Sequence, residues 1–298
     1  MKNRLLPLVM LSLVMNAYAY DIKVDGIYYN LSEEDHTASV VNNGNHPYKG
    51  EVIIPEKIED EGGQEYTVTL IGEQAFLTCS ELTSVKLPST ITSIGVRAFF
   101  NCSALVSVDI PSAVTSFGEG AFIYCSSLQS VEIPEGTAEV SENMFNGCSS
   151  LTSVTLPSTI VSIGNTAFAG CSALTTLDVK ASVPPTCGTD VFANVDKDKC
   201  TLNITLGSEM IYKSAEEWKE FKNIEGKYAG VESVANGEIS VLASDGCIKV
   251  NGAKDGQTVR IYNVNGQLLY SGSDTSVDTA AKGLYIVRVG DRIFKVVL

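Results

Sequence analysis

The sequence predicts a repeat solenoid, mostly β, followed by an antiparallel β-sandwich, and three observations support that prediction. A block of 23 residues recurs across 72–186 without a change of register. Most of these blocks contain a short apolar alternation that ends in proline. Beyond residue 231 the repeat stops, and short apolar runs alternate with turn dipeptides. A fixed period of this length is typical of a solenoid, in which each coil buries its apolar face against its neighbours.

Three positions of the block keep one residue type in all five coils. They are Phe76, Phe99, Phe122, Phe145 and Phe168; Cys79, Cys102, Cys125, Cys148 and Cys171; and Leu82, Leu105, Leu128, Leu151 and Leu174. Side chains that recur at one place in stacked coils lie above one another. These positions therefore predict three inward ladders.

The first block shows how one coil is built. Leu82, Val85 and Leu87 have the L-x-x-V-x-L spacing of a leucine-rich repeat strand, with Val85 and Leu87 turned inward. Pro88 ends the strand because it has no N–H to donate to a ladder. Gly95 suits the corner that starts the next coil, since glycine adopts conformations closed to other residues.

Four residues depart from the repeat. Thr137 stands in place of the isoleucine, Ser141 of the glycine, Met144 of the alanine and Lys180 of the proline. The first three lie close together in the sequence, so we expect the corner between the third and fourth coils to be the least regular. The fifth coil is expected to lead out of the array.

The two ends of the solenoid must be closed by atypical units, because an open end exposes apolar surface. Residues 20–71 are expected to form an N-terminal β cap and an irregular first coil. Residues 187–230 are expected to form a C-terminal cap with a short helix. Ser214 and Glu217 have the spacing of a capping box at the start of that helix. Trp218 is interpreted as a lid on the last coil, the alternative being an aromatic that stacks on a sugar or peptide.

The eight cysteines divide into two groups. The five in the repeat are expected to be buried thiols used as small apolar side chains, since stacked coils point them in parallel. Cys187 and Cys200 either pair across the C-terminal cap or stay free. Cys247 is then left alone in the last domain.

Residues 231–298 contain six short strand candidates. They are 238–243, 247–251, 257–263, 267–271, 284–289 and 292–298. Asp245-Gly246 and Asn265-Gly266, which separate two pairs of these candidates, are hairpin dipeptides. The segment predicts a small antiparallel β-sandwich.

The charge excludes some classes of partner. The formal net charge is −14, and residues 72–186 hold three basic residues against nine acidic ones. A surface that neutralises phosphates needs clustered lysine and arginine. We therefore expect no nucleic-acid partner and no anionic membrane surface.

Residues 1–19 have the layout of a secretory signal peptide. Lys2 and Arg4 precede an apolar run over 5–15, and Ala17-Tyr18-Ala19 is an A-x-A cleavage site. The apolar run is too short to span a bilayer, and no later stretch predicts a transmembrane segment. We expect an exported protein, extracellular or on the outer cell surface.

The sequence offers little that resembles catalytic chemistry. His36 and His46 lie in a turn-rich region with no nucleophile and acid placed around them, as a triad requires. No C-x-x-C or H-E-x-x-H motif supports a zinc site. Asn194, Asp196 and Asp198 alternate as in a calcium loop, but the later glycine and glutamate are missing, so a polar turn is favoured. We expect no enzyme, no cofactor and no metal.

The outward strand positions are the candidate binding residues. They are Thr83, Lys86, Asp109, Gln129, Glu132, Thr152, Thr155, Thr175 and Asp178. Stacked strands would join them into one sheet face, and repeat proteins commonly bind along such a face. The alternative is an ordinary solvent-facing sheet, since the face has no aromatic cluster of the kind that anchors interfaces.

The repeat resembles the BspA-like branch of the leucine-rich repeats, through its G-x-x-A-F-x-x-C-x-x-L-x-x-V-x-L-P unit over 72–179. That resemblance implies a bacterial surface or secreted protein, some members being adhesins for host matrix proteins, and brings no catalytic motif. The last domain is similar to the sorting domain of the type IX secretion system, through the stretches 259–266 and 282–289. This second resemblance implies outer-membrane export and surface attachment.

Together these expectations describe a secreted or cell-surface interaction protein. It would be an adhesin or binding scaffold whose repeat surface contacts an extracellular protein of a host or a cell. The alternative is a carbohydrate-binding or structural accessory protein of the cell envelope, with a glycan as its partner.

Overall fold

The computed structural model describes residues 20–42, 44, 47–228, 240–244, 247–253, 257–263, 267–278, 284–289 and 292–297. The expected signal peptide over 1–19 lies outside the described residues, and so does His46. The described chain holds a mostly β solenoid of about seven turns with a period of 23 residues. The predicted leucine-rich repeat solenoid is thus confirmed.

The chain begins with an antiparallel meander that runs into the first coil. The strands are β1 (Ile22–Val24), β2 (Ile27–Ser32), β3 (Thr37–Val40), β4 (Gly50–Ile53), β5 (Lys57–Glu59) and β6 (Glu65–Ile71). β1, β2 and β3 pair antiparallel, whereas β3 pairs parallel with β6. Pairing therefore changes from antiparallel to parallel where the coils start.

Each of the five coils then contributes a longer strand and a two-residue strand, and the C-terminal cap adds two longer strands. These strands are β7 (Leu82–Lys86), β8 (Ser93–Ile94), β9 (Ser107–Asp109), β10 (Ser116–Phe117), β11 (Ser130–Glu132), β12 (Glu139–Val140), β13 (Ser153–Leu156), β14 (Ser162–Ile163), β15 (Thr176–Val179), β16 (Thr186–Cys187), β17 (Thr201–Thr205) and β18 (Asn223–Tyr228). Between β17 and β18 lie helix α1 (Glu209–Ser214) and a 3-10 helix (Trp218–Glu220).

The long strands stack as one parallel ladder and the short strands as a second. β4, β7 and β9 form one run of the long-strand ladder, and β11, β13, β15, β17 and β18 form the next. The short-strand ladder likewise divides into β6-β8-β10 and β12-β14-β16. Both ladders are interrupted between the second and third coils. The expectation that the third and fourth coils meet least regularly is wrong, because β13 pairs with β11 and β14 with β12.

The third side of each coil is a turn that also forms a ladder, which the sequence did not indicate. In the first coil the N–H groups of Gln74, Phe76 and Thr78 donate to carbonyls of the second coil at 2.7 to 2.9 Å. Gln74 and Thr78 have positive φ, and the same two positions have positive φ in every later coil. Non-glycine residues adopt this conformation only where the surrounding structure imposes it. The repeated inter-coil hydrogen bonds impose it here.

Stacked phenylalanines form the spine of the core. Neighbouring rings from Phe76 to Phe192 are near parallel, with centroids 4.9 to 5.7 Å apart. All six rings are fully buried. The sixth ring, Phe192, continues the ladder of five that the sequence predicts.

The cysteine ladder is buried too, and its thiols are free. Four of them donate an S–H to a phenylalanine carbonyl of the preceding coil at 3.1 to 3.2 Å; they are Cys102, Cys125, Cys148 and Cys171. Cys187 and Cys200 are also free, so the alternative of a bridge across the cap does not hold in this structure. Burial raises the pKa of Cys79 to about 11 and that of Cys171 to about 12.

The raised thiol pKa values predict a loss of stability in alkali. Thiols of the unfolded chain ionise near their ordinary pKa of 9, whereas those of the folded chain stay protonated. The unfolded state therefore binds fewer protons above pH 9, and the free energy of unfolding falls as pH rises from 9 towards 12. Urea unfolding with reductant at pH 8, 9 and 10 measures this slope. Cys171→Ala should have a shallower slope, and an equal slope in both proteins would contradict the assignment to thiols.

Thr137 places a hydroxyl in the core at a position where the neighbouring coils have Ile91, Val114 and Ile160. Its Oγ1 is buried without a hydrogen-bond partner among the described residues. Val114 occupies the equivalent place in the second coil and is fully buried. Removing an unsatisfied buried hydroxyl without changing shape is stabilising.

We therefore expect Thr137→Val to raise the free energy of unfolding by about 1 kcal/mol. The matched control is Thr90→Val, because the Thr90 hydroxyl donates to the Val68 carbonyl at 2.6 Å and its loss should destabilise. Urea titration followed by circular dichroism gives both values. A destabilised Thr137→Val protein would mean that this hydroxyl has a partner in solution.

The C-terminal cap closes the Phe spine with Trp218. The indole is buried, packs edge to face on Phe192 and Tyr212, and donates its Nε1–H to the Pro185 carbonyl at 2.8 Å. The interpretation of Trp218 as a lid is confirmed. The predicted capping box is wrong, since Ser214 is the last residue of α1 and its hydroxyl bonds carbonyls of that helix.

The last domain has its own apolar core. Its strands are β19 (Ser240–Ser244), β20 (Cys247–Asn251), β21 (Val259–Asn263), β22 (Leu268–Gly272), β23 (Ser276–Asp278), β24 (Leu284–Val289) and β25 (Arg292–Val297). They form two antiparallel sheets, β19-β20-β23 and β22-β21-β24-β25, which share one buried cluster. The antiparallel pairing is as predicted, and β23 is an additional strand. The complete sandwich stays a prediction, because several connections lie outside the described residues.

Candidate functional site

The long-strand ladder presents one row of side chains per position, divided into two runs by the interruption between the second and third coils. Val85, Val108, Val131, Val154 and Leu177 point inward and are buried. Their neighbours point outward and make the surface that we call the strand face. Most of the candidate binding residues are exposed there, namely Thr83, Lys86, Asp109, Gln129, Glu132, Thr152 and Thr175, and Thr155 is half-buried.

Strand register decides which of these residues are neighbours. Lys86 lies opposite Asp109 in one run of the ladder, and Glu132 lies opposite Thr155 in the other. The hydroxyl of Thr152 donates to the Gln129 carbonyl of the coil before it at 3.0 Å. Within each run the strand face is therefore evenly spaced, because each strand is paired with the next through the backbone.

The strand face holds few cations, and those present are paired. Lys86 Nζ lies 3.0 Å from Glu51, and Lys180 Nζ reaches over the fourth coil to Glu132 at 3.1 Å. Both pairs are exposed, so each contributes little to stability. Asp109 has no ion pair or side-chain hydrogen bond within the described chain. The surface that remains is acidic.

Asp178 is a correction to the expected set. It was predicted to be exposed, yet it is 8% exposed. Asn203 donates to its Oδ1 at 2.7 Å, and Lys227 lies 3.3 Å from the same oxygen. Both partners come from the C-terminal cap, so Asp178 fixes the cap to the fifth coil and is not free to contact a ligand.

A groove crosses the strand face where the long-strand ladder is interrupted. Its volume is about 540 Å³. It is lined by Ser107, Val108, Asp109, Ile110, Ser112, Ser130, Val131, Glu132, Pro134 and Glu135. The sequence reasoning found two of the polar lining residues, Asp109 and Glu132, without predicting that they face a common groove.

A second exposed feature lies on the turn side and was missed. Tyr124 is 48% exposed, and its ring meets that of Phe100 edge to face at 5.8 Å. Gly147 follows Tyr124 in the ladder, and a Cβ there would lie 2.3 Å from the Tyr124 ring. Gly147 and Gly170 stand at the Tyr124 position in the next two coils. These glycines are the sequence signal for the arrangement, because they leave room for one large ring.

The described residues contain no group of three or more His, Cys, Asp and Glu that could hold a metal ion. Asp196 Oδ1 accepts from the N–H groups of Asp198 and Lys199, and Asp196 Oδ2 pairs with Lys199 Nζ at 2.7 Å. That side-chain bond from Lys199 lowers the pKa of Asp196. The carboxylate is thus engaged in a polar turn, the favoured alternative to a calcium loop. His36 lies in an exposed turn.

A profile of the BspA type leucine rich repeat region matches the chain in six copies, over residues 64–175 and 138–222. The matched stretch is more than half of the 298 residues. The chain belongs to the BspA-type leucine-rich repeat family. Residues 229–298 match a domain of unknown function, DUF6383. No curated protein matches the chain.

Several solved structures are similar to this BspA-type protein. A leucine-rich repeat protein of T. pallidum, TpLRR, has 22% identity and a TM-score of 0.51, covering 68% of this chain and 96% of that chain. A leucine rich cell surface protein of Faecalibacterium prausnitzii has 25% identity and a TM-score of 0.45, covering 75% and 58%. The pneumococcal vaccine antigen PcpA has 19% identity and a TM-score of 0.35, covering 63% and 50%.

The family is one of repeat scaffolds, which act through extended surfaces. The BspA-type solenoid described above fits that role, because its polar residues are spread along a face and do not converge on a catalytic centre among the described residues. No helix in the described part of the chain has the length and apolar character needed to cross a bilayer.

Proposed function

We propose that the chain is an exported interaction protein, an adhesin or binding scaffold of the cell surface, whose strand face contacts an extracellular protein of a host or another cell. The observation that carries the proposal is the strand face itself. Its exposed polar side chains recur on backbone-paired strands over five coils. Such a surface loses little conformational freedom when it is covered.

Adhesion of cells to the immobilised full chain tests this proposal. The variant Gln129→Ala/Thr152→Ala/Thr175→Ala removes three exposed side chains from one row and leaves the backbone ladder intact. We expect at least a tenfold loss of adhesion. Ser149→Ala/Ser172→Ala, on the turn side, is the matched control and should keep it. Equal adhesion by both variants would contradict the role of the strand face.

Export and attachment are assigned to the two ends of the chain. Residues 1–19 would direct secretion, and 231–298 would serve as a sorting or anchoring domain of the type IX kind. Protease shaving of intact producing cells, with and without 231–298, tests this assignment. Shaving of the full chain alone supports anchoring by the last domain, whereas the same result for both chains contradicts it.

A glycan is the second candidate partner, and the exposed Tyr124 ring, which meets the half-buried Phe100 ring edge to face, favours it. Aromatic rings that present a face to solvent stack on the apolar faces of sugars, and Tyr adds a hydroxyl for hydrogen bonding. A glycan array probed with the full chain and with Tyr124→Ala separates the two candidates. Glycan binding that Tyr124→Ala abolishes would support a carbohydrate partner. An array without signal would contradict that hypothesis.

A further inference from the structure

The second and third coils are joined differently from every other pair in the repeat. In the described chain no strand pairing links β9 to β11, or β10 to β12. The turn side stays continuous, since the N–H groups of Arg97, Phe99 and Asn101 donate to the third coil at 2.8 to 2.9 Å. On the strand face, the Gln129 N–H donates to the Val106 carbonyl at 3.1 Å just before the two strands, so the gap opens on this face beyond that bond.

One hydroxyl tie is missing at this gap, although its absence alone opens none, because Ala113 lacks the same tie in the second coil and β9 still pairs with β7. Thr90 and Thr159 each donate a hydroxyl hydrogen bond to a carbonyl of the preceding coil. Gly136, with φ of 93°, stands at the equivalent place in the third coil. The third coil consequently lacks this tie to the second.

The groove at the gap has an acidic lining. Three carboxylates line it, those of Asp109, Glu132 and Glu135, and no lysine, arginine or histidine does. Serine hydroxyls and the apolar surfaces of Ile110 and Pro134 complete the lining. In addition, the facing edges of β9 and β11 have no strand partner, so their backbone groups border the groove.

Two of these carboxylates are open to a ligand. Asp109 has no side-chain partner in the described chain. Glu132 is paired with Lys180 alone, and the two side chains are 69% and 31% exposed, so the pair is weak and an incoming cation can replace Lys180. Glu135 is held by the N–H and hydroxyl of Ser158 and contributes its charge from a fixed position.

We propose that this groove binds an arginine side chain of an extended basic segment in the protein partner, with the guanidinium between Asp109 and Glu132. The proposal rests on the proposed function and specifies the partner's contacting segment. Guanidinium is planar, weakly hydrated and able to bond carboxylates in a forked geometry, and it packs on apolar walls. The other two basic side chains of the repeat, Lys86 and Arg97, do not line the groove and have Glu51 and Glu119 as their ion-pair partners.

Fluorescence anisotropy with a labelled peptide of five Arg-Ser repeats tests the proposal on the full chain. The reference peptide replaces each arginine with citrulline, which keeps the shape and removes the charge. We expect the arginine peptide to bind at least tenfold more tightly than the citrulline peptide. We also expect Asp109→Asn/Glu132→Gln to weaken arginine-peptide binding at least tenfold.

The matched control is Glu73→Gln/Glu139→Gln, which removes two exposed carboxylates of the same solenoid outside the groove. Its affinity should stay within twofold of the parent chain. Equal weakening by both double variants would overturn the proposal, because it would show attraction by net charge alone. No measurable preference for arginine over citrulline would overturn it too.

The adhesion assay separates this inference from the proposed function. If Asp109→Asn/Glu132→Gln keeps full adhesion while the row variant of Gln129, Thr152 and Thr175 loses it, the strand face binds a partner and the groove proposal fails. If the arginine peptide binds the groove but no strand-face variant changes adhesion, the groove stands and the adhesin proposal fails.

Discussion

Phe122→Ala should lower the free energy of unfolding by about 3 to 5 kcal/mol, the cost of removing a fully buried aromatic side chain from a core. Phe122 is stacked between Phe99 at 5.1 Å and Phe145 at 5.5 Å, so one change removes two inter-coil contacts. In a repeat array, stability is approximately the sum of coil and interface terms. The loss therefore falls on two neighbouring interfaces.

One of those interfaces is already the weakest in strand pairing. Phe99 and Phe122 meet across the gap between the second and third coils, where both strand ladders are interrupted. We expect Phe122→Ala to uncouple the two halves of the solenoid and to produce two urea transitions in circular dichroism. Tyr124→Ala, a change at the exposed ring of the same turn, should shift the midpoint little. A single transition at the parental midpoint would contradict the spine's role.

Trp218→Ala should cost a similar amount, about 3 to 5 kcal/mol, and should act locally. The indole covers the end of the Phe spine at Phe192 and donates to the Pro185 carbonyl. Its removal exposes the last coil and leaves the buried Pro185 carbonyl with only the weak S–H donor of Cys187 at 3.8 Å. Hydrogen exchange should rise first in β17 and β18, since both strands lie next to the opened end.

Trp218→Phe separates packing from hydrogen bonding at this site. Phenylalanine keeps most of the ring area and cannot donate to Pro185, so we expect a loss of about 1 kcal/mol. Size-exclusion chromatography of Trp218→Ala should also reveal self-association through the uncovered apolar end. Exchange that rises equally in β7 and β17 would show that the lid acts globally instead.

The Phe and Cys ladders were predictable because a strict period of 23 residues fixes where each side chain lies in the next coil. The same reasoning could not find the ladder gap. Strand pairing depends on how two coils stack, and the block does not mark this junction, since Ala113 lacks the same hydroxyl as Gly136 while β9 pairs with β7. The expected irregular corner at Ser141 is accommodated, because the Ser141 hydroxyl donates to the Gly118 carbonyl at 2.9 Å and restores a tie between coils.

The candidate site was predictable as a face and not as a set of contacts. Strand alternation correctly turned Lys86, Asp109 and Glu132 outward. The burial of Asp178 depends on Asn203 and Lys227, which come from the cap and have no period that relates them to the repeat. The exposure of Tyr124 likewise depends on a turn geometry that the apolar pattern does not encode.

The S–H bonds of the cysteine ladder have a consequence for how the gene can change. Each of four thiols donates to the carbonyl of the phenylalanine in the coil before it. The donors are Cys102, Cys125, Cys148 and Cys171, and the acceptors are Phe76, Phe99, Phe122 and Phe145 in the same order. Each of these coils thus has its donor thiol and its acceptor carbonyl at the same positions of the block. Unequal crossing-over that copied or deleted a whole block within the array would leave both in register.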